Sequence, residues 1–497
     1  MDNYEASLTK MQEQFSILQK LICGEWQGLQ IHQAEENLFR HLLEIGRTAL
    51  IAYAEKKGTG KEYFGESLTS HKMENWNYIS IFGTIPIPRA YFWEKGMEGG
   101  GICPIDKEHN LPDKHYSYLL HQWSQMIAVD SNYDAARENL FTILGINIWS
   151  KQSEEMNRKA AGDVAKYYDE KPTQQQQEPI LVAEIDGKGV VMRKEKQDKE
   201  KRVRLKKGEK NGIKKMATVT AVFGIDRNVR AVEDIIRTET AGVNGKKAGK
   251  ISVSAPEMYM PCDDGPTPQN KHLRATLHGK DLAFERLVKE IDRRDPEKKC
   301  ERIALVDGER GLESKIKEIL LGRGFILVLD LYHVMERLWA LCYYFCAEGS
   351  VEATLWVRKY LKMILEGKTG YFIGAIRQII SKGDFCKSKR AAIEKMLEYY
   401  ERRKEYMCYD LCLSKGYPIG SGVIEGACRS FVKDRMELSG MRWSEEGAEA
   451  MLELRSIKVN GYWADYWQYF IGKEQKRIYG RIDTFFQKHK ENVERAA

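Results

Sequence analysis

The sequence predicts an α/β fold with a mixed sheet, an all-helical insertion, and a mainly helical N-terminal region that contains a small β-hairpin. Strand-like apolar stretches alternate with helical patterns from residue 180 onwards. Residues 334–414 show only helical patterns, and in the first 56 residues apolar side chains recur mostly every three or four positions. Strands that alternate with helices are typical of a sheet that is covered by helices.

The N-terminal region, residues 1–170, is predicted to combine helices with one hairpin. The stretch WNYISIFGTIPIPRAYFW is rich in β-branched and aromatic residues and turns at Gly83 and Thr84. Its two prolines restrict it to the edge of a sheet, because proline donates no backbone hydrogen bond. The polar segment KPTQQQQEP, residues 171–179, is Gln-rich and predicts a linker.

The predicted core begins at residue 180 and is interrupted once. Residues 180–333 form its first part, residues 334–414 the helical insertion, and residues 415–497 its completion together with C-terminal helices. The predicted strands lie in the stretches ILVAEIDGKGVVM, KKMATVTAVFGID, KCERIALVDGERG and FILVLDLYHVMERLW.

The amino-acid composition indicates the size of the core and the cellular compartment of the protein. The 497 residues carry a net charge of +7, and 42% of them are hydrophobic, which is enough for substantial cores. The ten cysteines include no CxxC pair, which favours a reducing, intracellular compartment over a disulfide framework. We find no signal sequence and no uncharged run long enough to span a bilayer, so we expect a cytoplasmic protein without a membrane partner.

Acidic residues mark the ends of the predicted strands. Asp186, Asp307 and Asp330 each follow an apolar run, and Glu425 lies just after a Gly-Ser-Gly turn. One such residue alone is more often a helix cap or a turn former. Several in one α/β domain fit a site for hard divalent cations, which prefer carboxylate oxygens. Glu184 points to the same side of its strand as Asp186, and we assign it no function.

Several motifs together resemble the DDE transposases of bacterial insertion sequences, in particular the ISKra type, an uncharacterised transposase-like family with Mutator-like relatives. The resemblance runs from about Glu36 to Trp467. It is carried by ILVAEIDGKG, RATLHGKDLAF, IALVDGERGLESKI, LDLYHVMERLW and GSGVIEGACRSFVKDRMELSGMRWSEEGAEAMLELR.

This resemblance implies an RNase H-like core and a DNA-cleaving enzyme. The family's acidic triad lies on the first strand, after the fourth strand and on a late helix, which corresponds here to Asp186, Asp307 and Glu425. These residues would hold two Mg²⁺ or Mn²⁺ ions. The enzyme would cleave DNA at the terminal inverted repeats of its own element and join the ends to target DNA, working as a homodimer or higher oligomer in the prokaryotic nucleoid.

The second metal ligand is open between two residues. Mutator-like relatives carry a C/D-x-x-H motif, which DLYH supplies here as Asp330 and His333. Asp330 could therefore replace Asp307 as the ligand. We favour Asp307, because its position before a helix and a further strand matches the family order, and we expect Asp330 and His333 to support the site. A core histidine that caps the turn is an alternative for His333.

Basic residues indicate a nucleic-acid surface. The segment from Lys188 to Lys215 carries thirteen Lys or Arg and four acids, and it joins the first two core strands. It could neutralise phosphates or form a solvated hairpin tip. Trp443 could stack on a DNA base, or it could be buried in the core. Arg429 and Lys433 could contact DNA, or they could only form ion pairs with Glu425 at i, i+4 spacing along the helix. The candidate DNA-binding residues are Arg193, Lys194, Arg202, Arg204, Lys206, Lys207, Arg274, Lys280, Arg429, Lys433, Arg442 and Trp443.

The N-terminal region departs from the family pattern. Members often carry paired cysteines near the hairpin, whereas the matching segment here, GGGICPIDKEHNLP, contains only Cys103. A structural zinc site needs four donors, so we expect no zinc. The N-terminal helices could bind terminal repeats or mediate dimerisation.

Two further functions compete with a transposase. A catalytically inactive or domesticated transposase would bind DNA without cleaving it, and the intact acidic set argues against this. An RNase H-like nuclease that acts on another substrate is the other possibility, and the long insertion and the N-terminal region disfavour it.

Overall fold

A computed structural model describes residues 3–61, 70–92, 101–172, 174–193, 213–236, 265–308 and 310–496. The chain forms two units, which are described separately below. One contains Met1–Asp169 with Gly461–Ala497, and the other contains Glu170–Asn460. The prediction grouped residues 415–497 as a single segment, whereas the structure divides this segment at residue 461.

The first unit begins with an antiparallel pair of helices, α1 (Asn3–Cys23) and α2 (Ile31–Lys56). The start of α1 lies beside the end of α2, where the Ser7 hydroxyl donates to the Glu55 carboxylate at 2.6 Å. Strands β1 (Ser70–Ser80) and β2 (Gly83–Phe92) form the predicted antiparallel hairpin. The turn is formed by Ile81 and Phe82, two residues before the predicted position, and Gly83, with φ of 102°, begins β2 opposite Ser80.

Five further helices follow in this unit: α3 (Pro104–His109), α4 (Tyr118–Ala128), α5 (Tyr133–Leu144), α6 (Ser150–Ala161) and α7 (Val164–Glu170). Ser117 and Asn132 cap α4 and α5 through their side chains. Apolar residues of α4, α5 and α6 share one buried cluster that includes Leu120 and Leu140.

The second unit is built on a five-stranded mixed sheet. Its strands are β3 (Ile180–Val191), β4 (Lys214–Ile225), β5 (Gln269–Thr276), β6 (Glu301–Val306) and β7 (Phe325–Leu329). They lie in the order β5-β4-β3-β6-β7. The first three strands pair antiparallel, and β6 lies parallel to both β3 and β7. The earliest strand is therefore the central one, and the carboxyl ends of β3, β6 and β7 share one edge.

Helices α8 (Val232–Ile235), α9 (Lys280–Arg294) and α10 (Arg310–Leu320) connect these strands. The predicted linker lies against this unit, because the backbone N–H of Gln176 donates to the carbonyl of Arg294 at 3.0 Å.

The predicted insertion is helical in the structure. It consists of α11 (Leu331–Cys342), α12 (Val351–Leu365), α13 (Thr369–Lys382), α14 (Lys387–Arg403) and α15 (Tyr409–Lys415). Asp330 caps α11, and Ser350 caps α12. The Tyr409 hydroxyl donates to the carbonyl of Leu329 at 2.8 Å, so the last of these helices is tied to the end of β7.

A composite helix, residues 422–436, follows and is called the Glu425 helix below. It starts as α16 (Gly422–Gly426), widens into a π-helical segment (Ala427–Lys433) and ends as α17 (Asp434–Met436). Arg455 donates to the carbonyls of Phe431 at 2.8 Å and Ser430 at 2.7 Å. Arg455 lies on α18 (Glu445–Val459), which packs on β5.

The last helix, α19 (Trp463–Ala496), belongs to the first unit. His121 contacts Trp467 with ring centroids 4.9 Å apart, and the Tyr479 hydroxyl donates to the carbonyl of Leu111 at 2.5 Å. Within the described part of the chain, none of the helices combines the length and the apolar character that crossing a bilayer requires.

Candidate active site

Asp186 lies where the central strand β3 emerges from the core. The six residues before it, 180–185, are buried, and Asp186 is half-buried. Its carboxylate accepts hydrogen bonds from the backbone N–H of Gly187 at 2.6 Å and from the Cys428 thiol at 3.1 Å. The second bond joins β3 to the Glu425 helix. Burial raises the pKa of the Cys428 thiol, and the charge of Asp186 raises it further, so the thiol keeps the proton that it donates.

Glu184 lies two residues earlier on the same side of β3 and is fully buried. Its Oε2 accepts a hydrogen bond from the backbone N–H of Ile424 at 2.7 Å, in the first turn of the Glu425 helix. Burial raises the pKa of Glu184 to about 8, and the charges of Asp330 and Glu425 add to this effect. We assigned no function to this residue from the sequence, although an acid inside the apolar run ILVAEI was a usable signal.

Asp330 is fully buried at the end of β7 and lies at the start of α11. Its Oδ1 accepts from the backbone N–H of Tyr332 at 3.3 Å and from that of Ser421 at 3.0 Å. Its Oδ2 lies 2.6 Å from Nδ1 of His333. This hydrogen bond raises the pKa of His333 to about 9 against the opposing effect of burial. His333 is therefore an imidazolium at neutral pH.

Ser421 directly precedes the Glu425 helix but does not cap it through its side chain. Its backbone N–H donates to Asp330 instead. The Asp330 and Glu184 carboxyl groups thus both bind backbone N–H groups at the start of this helix, a position that favours negative charge.

Glu425 is exposed and meets the pair formed by Asp330 and His333. One ligand atom from each of these three residues lies within 4.8 Å of the others. Such a group could hold a metal ion only if His333 gave up its proton, because a histidine that binds a metal is neutral. Desolvation raises the pKa of Glu425, the charge of Asp330 raises it further, and His333 acts in the opposite direction. Asp186 also raises this pKa, so its carboxylate lies within electrostatic range of Glu425.

Asp307 follows β6 in a loop that is bonded to the helical insertion. The guanidinium of Arg403, on α14, donates to the carbonyl of Gly308 at 2.6 Å and pairs with Glu313 at 2.9 Å. Gly308 adopts a φ of 83°, which favours glycine. The charge of Asp307 contributes to the raised pKa of His333. Asp307 and Asp186 thus lie near the group formed by Glu425, Asp330 and His333 without belonging to it.

The candidate DNA-binding residues differ in burial: four are exposed, one is half-buried, two are buried, and five lie outside the described part of the chain. Exposed side chains near the acidic site include Arg429 and Lys433, both on the Glu425 helix. Arg193 and Arg442 are exposed and adjacent to each other, with Nε of Arg193 donating to the carbonyl of Arg442 at 3.0 Å. Lys280 is half-buried at the start of α9. Five of the predicted residues lie outside the described part: Lys194, Arg202, Arg204, Lys206 and Lys207.

Two residues proposed to contact DNA are buried, and for Trp443 this is the alternative that the sequence left open. Arg274 lies on β5 and pairs with Glu453 of α18 at 2.7 Å. Trp443 donates its indole N–H to the carbonyl of Met436 at 3.0 Å. Neither side chain can reach a phosphate or a base, because a partner in the core occupies its polar group.

Comparison with known proteins shows a distant similarity. No family model matches the chain. A "UPF0236 protein in vanSb 3'region" from Streptococcus gallolyticus is 27% identical over 175 residues. The matched stretch spans 33% of this chain and 35% of that protein. The chain is therefore similar, over about a third of its length, to a protein whose printed description gives its family and genetic neighbourhood and no activity.

Proposed function

We propose that this protein is a DDE transposase that cleaves DNA at the ends of its own insertion sequence and transfers the strands to target DNA. The observation that carries the proposal is the gathering of Glu425, Asp330 and His333 within 4.8 Å beside Asp186 on the central strand. Acidic groups from three separate elements converge there, as a metal-dependent phosphodiester site requires.

The order of the elements supports an RNase H-like core. Asp186 lies on the first and central strand of the sheet, Asp307 follows the fourth strand, and Glu425 lies on a helix after the helical insertion. This is the order that the sequence resemblance implies for the acidic triad. The distant similarity to the streptococcal protein covers too little of either chain to add an activity.

The donor set fits magnesium or manganese. Oxygen ligands suit these ions. Desolvation raises the pKa of Glu425, and the charge of Asp330 adds to this effect. A bound cation would offset the repulsion between these carboxylates. Asp186, Asp307 and Glu425 would hold the ions. When bound, the ions would activate a water or a DNA 3′-hydroxyl and stabilise the charge that develops on the phosphate.

Asp330 is better suited to position the site than to bind metal. Three hydrogen bonds already occupy its two oxygens, and its side chain is buried. It orients His333, whose positive charge lies next to the acidic residues and faces the position that a phosphate would take. This arrangement supports a metal-ligand role for Asp307 and a positioning role for Asp330 and His333.

The exposed Arg and Lys side chains form the surface along which the DNA would bind. Arg429 and Lys433 extend from the Glu425 helix, and Arg193 and Arg442 lie near its C-terminal end. Contacts to phosphates would fix the register of the DNA ends without reading their sequence. The terminal inverted repeats and the target DNA are the proposed partners, with two or more copies of the protein acting together.

The test is cleavage of duplexes that carry the sequences flanking the coding region, with Mg²⁺, Mn²⁺ or EDTA. Wild type should nick the ends only with metal. Asp186→Asn, Asp307→Asn and Glu425→Gln should each abolish nicking and leave end binding intact. Glu437→Gln is the matched control, because Glu437 lies just after the same helix but pairs with Lys214 at 3.2 Å.

Two outcomes would contradict the proposal. Tight binding of the ends without nicking under any metal would favour an inactive, transposase-derived DNA-binding protein. Nicking that persists in Asp307→Asn but is lost in a folded Asp330→Asn variant would make Asp330 the second ligand.

A further inference from the structure

The N-terminal helices leave a row of apolar side chains exposed along one side. Leu18, between α1 and α2, is only 3% exposed. Several large apolar residues of the same helices are exposed, among them Ile17 and Phe39. Five of the exposed residues lie along one side: Phe15 at 53%, Ile22 at 45%, Ile31 at 85%, Leu38 at 36% and Leu42 at 49%. These five residues are called the apolar row below.

The spacing places the whole row on one side of the helix pair. Phe15 and Ile22 each follow a half-buried residue of α1, and Leu38 and Leu42 each follow a half-buried residue of α2. One residue corresponds to a rotation of about 100° in an α-helix. Because the two helices run antiparallel, the same rotation on each brings both sets of side chains to the same side. Ile31 is seven residues before Leu38 and continues the row.

We propose that the apolar row is the surface through which two copies of this chain associate. Two helix pairs would pack row against row and form a four-helix bundle. The exposed fractions correspond to about 500 Å² of apolar surface per copy. Two such surfaces reach the total of about 1,000 Å² that a specific interface needs.

The chemistry of the row favours a second copy over a lipid surface. Its apolar residues recur at the four- and seven-residue intervals of packed helices. The neighbouring positions on α1 are uncharged: Gln12, Ser16 and Gln19. A helix that lies on a membrane carries lysines and arginines beside its apolar face, and that pattern is not found here. Glu35 lies between Ile31 and Leu38 on the same side of α2 and carries a negative charge. Glu35→Gln should therefore strengthen the association of two copies.

The experiment is sedimentation velocity of the full chain without DNA or metal over a range of concentrations. Wild type should dimerise. Phe15→Glu and Leu42→Glu should each weaken dimerisation at least about tenfold, since each buries a charge in the interface. Ile17→Glu is the matched control: Ile17 is 52% exposed, like Phe15, but lies on the other side of Leu18. Circular dichroism and thermal unfolding would verify that each variant folds.

Several outcomes would overturn the inference. Wild type could remain monomeric at every concentration, which would leave the row for a different partner. Ile17→Glu could weaken dimers as much as Phe15→Glu, or dimers could persist in both row variants, and either result would place the interface elsewhere. The inference does not depend on the proposed function, since no step of the experiment requires DNA cleavage.

Discussion

The buried carboxyl group of Glu184 accepts a hydrogen bond from the backbone N–H of Ile424 across 2.7 Å. One residue lies on the central strand, and the other precedes Glu425. The position of Glu425 relative to the sheet therefore depends on an acid that does not itself reach the solvent.

Glu184→Leu should lower metal-dependent cleavage about 10- to 100-fold, the range typical of residues that orient metal ligands. Leucine fills the buried space but cannot accept the hydrogen bond. Glu184→Gln keeps an acceptor oxygen and should retain most of the activity. Hydrogen exchange at residues 421–426 would give a second readout, with faster exchange in Glu184→Leu only. Equal activity and exchange in Glu184→Leu and wild type would show that the hydrogen bond does not position Glu425.

Asp330→Ala should destabilise the second unit more than Asp307→Ala does. Removing Asp330 leaves the N–H groups of Ser421 and Tyr332 and the ring of His333 without their acceptor, at a cost of about 2–4 kcal/mol. Asp307 is half-exposed in a loop. Urea unfolding of both variants would measure the difference. Equal midpoints would mean that water replaces the lost acceptor at no cost.

Stability should fall in acid partly because of His272. Burial lowers the pKa of His272 to about 3, although Glu290 opposes this effect. The pKa in the unfolded chain is about 6.5, so the contribution of the neutral imidazole is present above pH 6.5 and is lost as the pH falls towards 3. Between pH 6.5 and pH 5 the loss should be about 2 kcal/mol.

Comparison with His272→Gln isolates this contribution. The difference in unfolding free energy between wild type and His272→Gln should change with pH by that amount, while other groups cancel. A difference that stays constant between pH 7 and pH 5 would show that Glu290 compensates for the protonation of His272.

Arg429→Gln and Lys433→Gln should each weaken DNA binding and reduce the slope of its salt dependence by about 1. Arg274→Gln should behave differently, because it breaks a buried pair with Glu453 at a cost of about 3 kcal/mol. It should lower the unfolding midpoint and leave the salt slope of the folded fraction unchanged. A reduced slope in Arg274→Gln would show that the guanidinium reaches DNA after rearrangement.

The strands with apolar runs could be predicted from the sequence, and β5 could not. Its stretch QNKHLRAT contains His272 and Arg274, which are buried because Glu290 and Glu453 lie against them. Glu453 is 179 residues away from Arg274. Local periodicity cannot show such a pairing, so a buried strand resembled a basic patch.

The residues of the candidate site could likewise be predicted only in part from the sequence. The strand ends located Asp186, Asp307 and Asp330, because acids after apolar runs are visible in a sequence. The roles of Glu184 and Cys428 depend on how the Glu425 helix packs on β3, which no local pattern encodes.

The π-helical segment fits one more residue into the Glu425 helix than ordinary α-helical turns would hold. Each residue of the wider turn rotates by less than the 100° of an α-helix. If residues 427–433 closed as an α-helix without losing a residue, everything after them would turn by roughly a third of a turn relative to Glu425. The carbonyls of Ser430 and Phe431 would then leave the positions at which they accept hydrogen bonds from Arg455. Deleting one residue would cancel most of this rotation, so the segment should tolerate the loss of one residue better than a substitution that closes it as an α-helix.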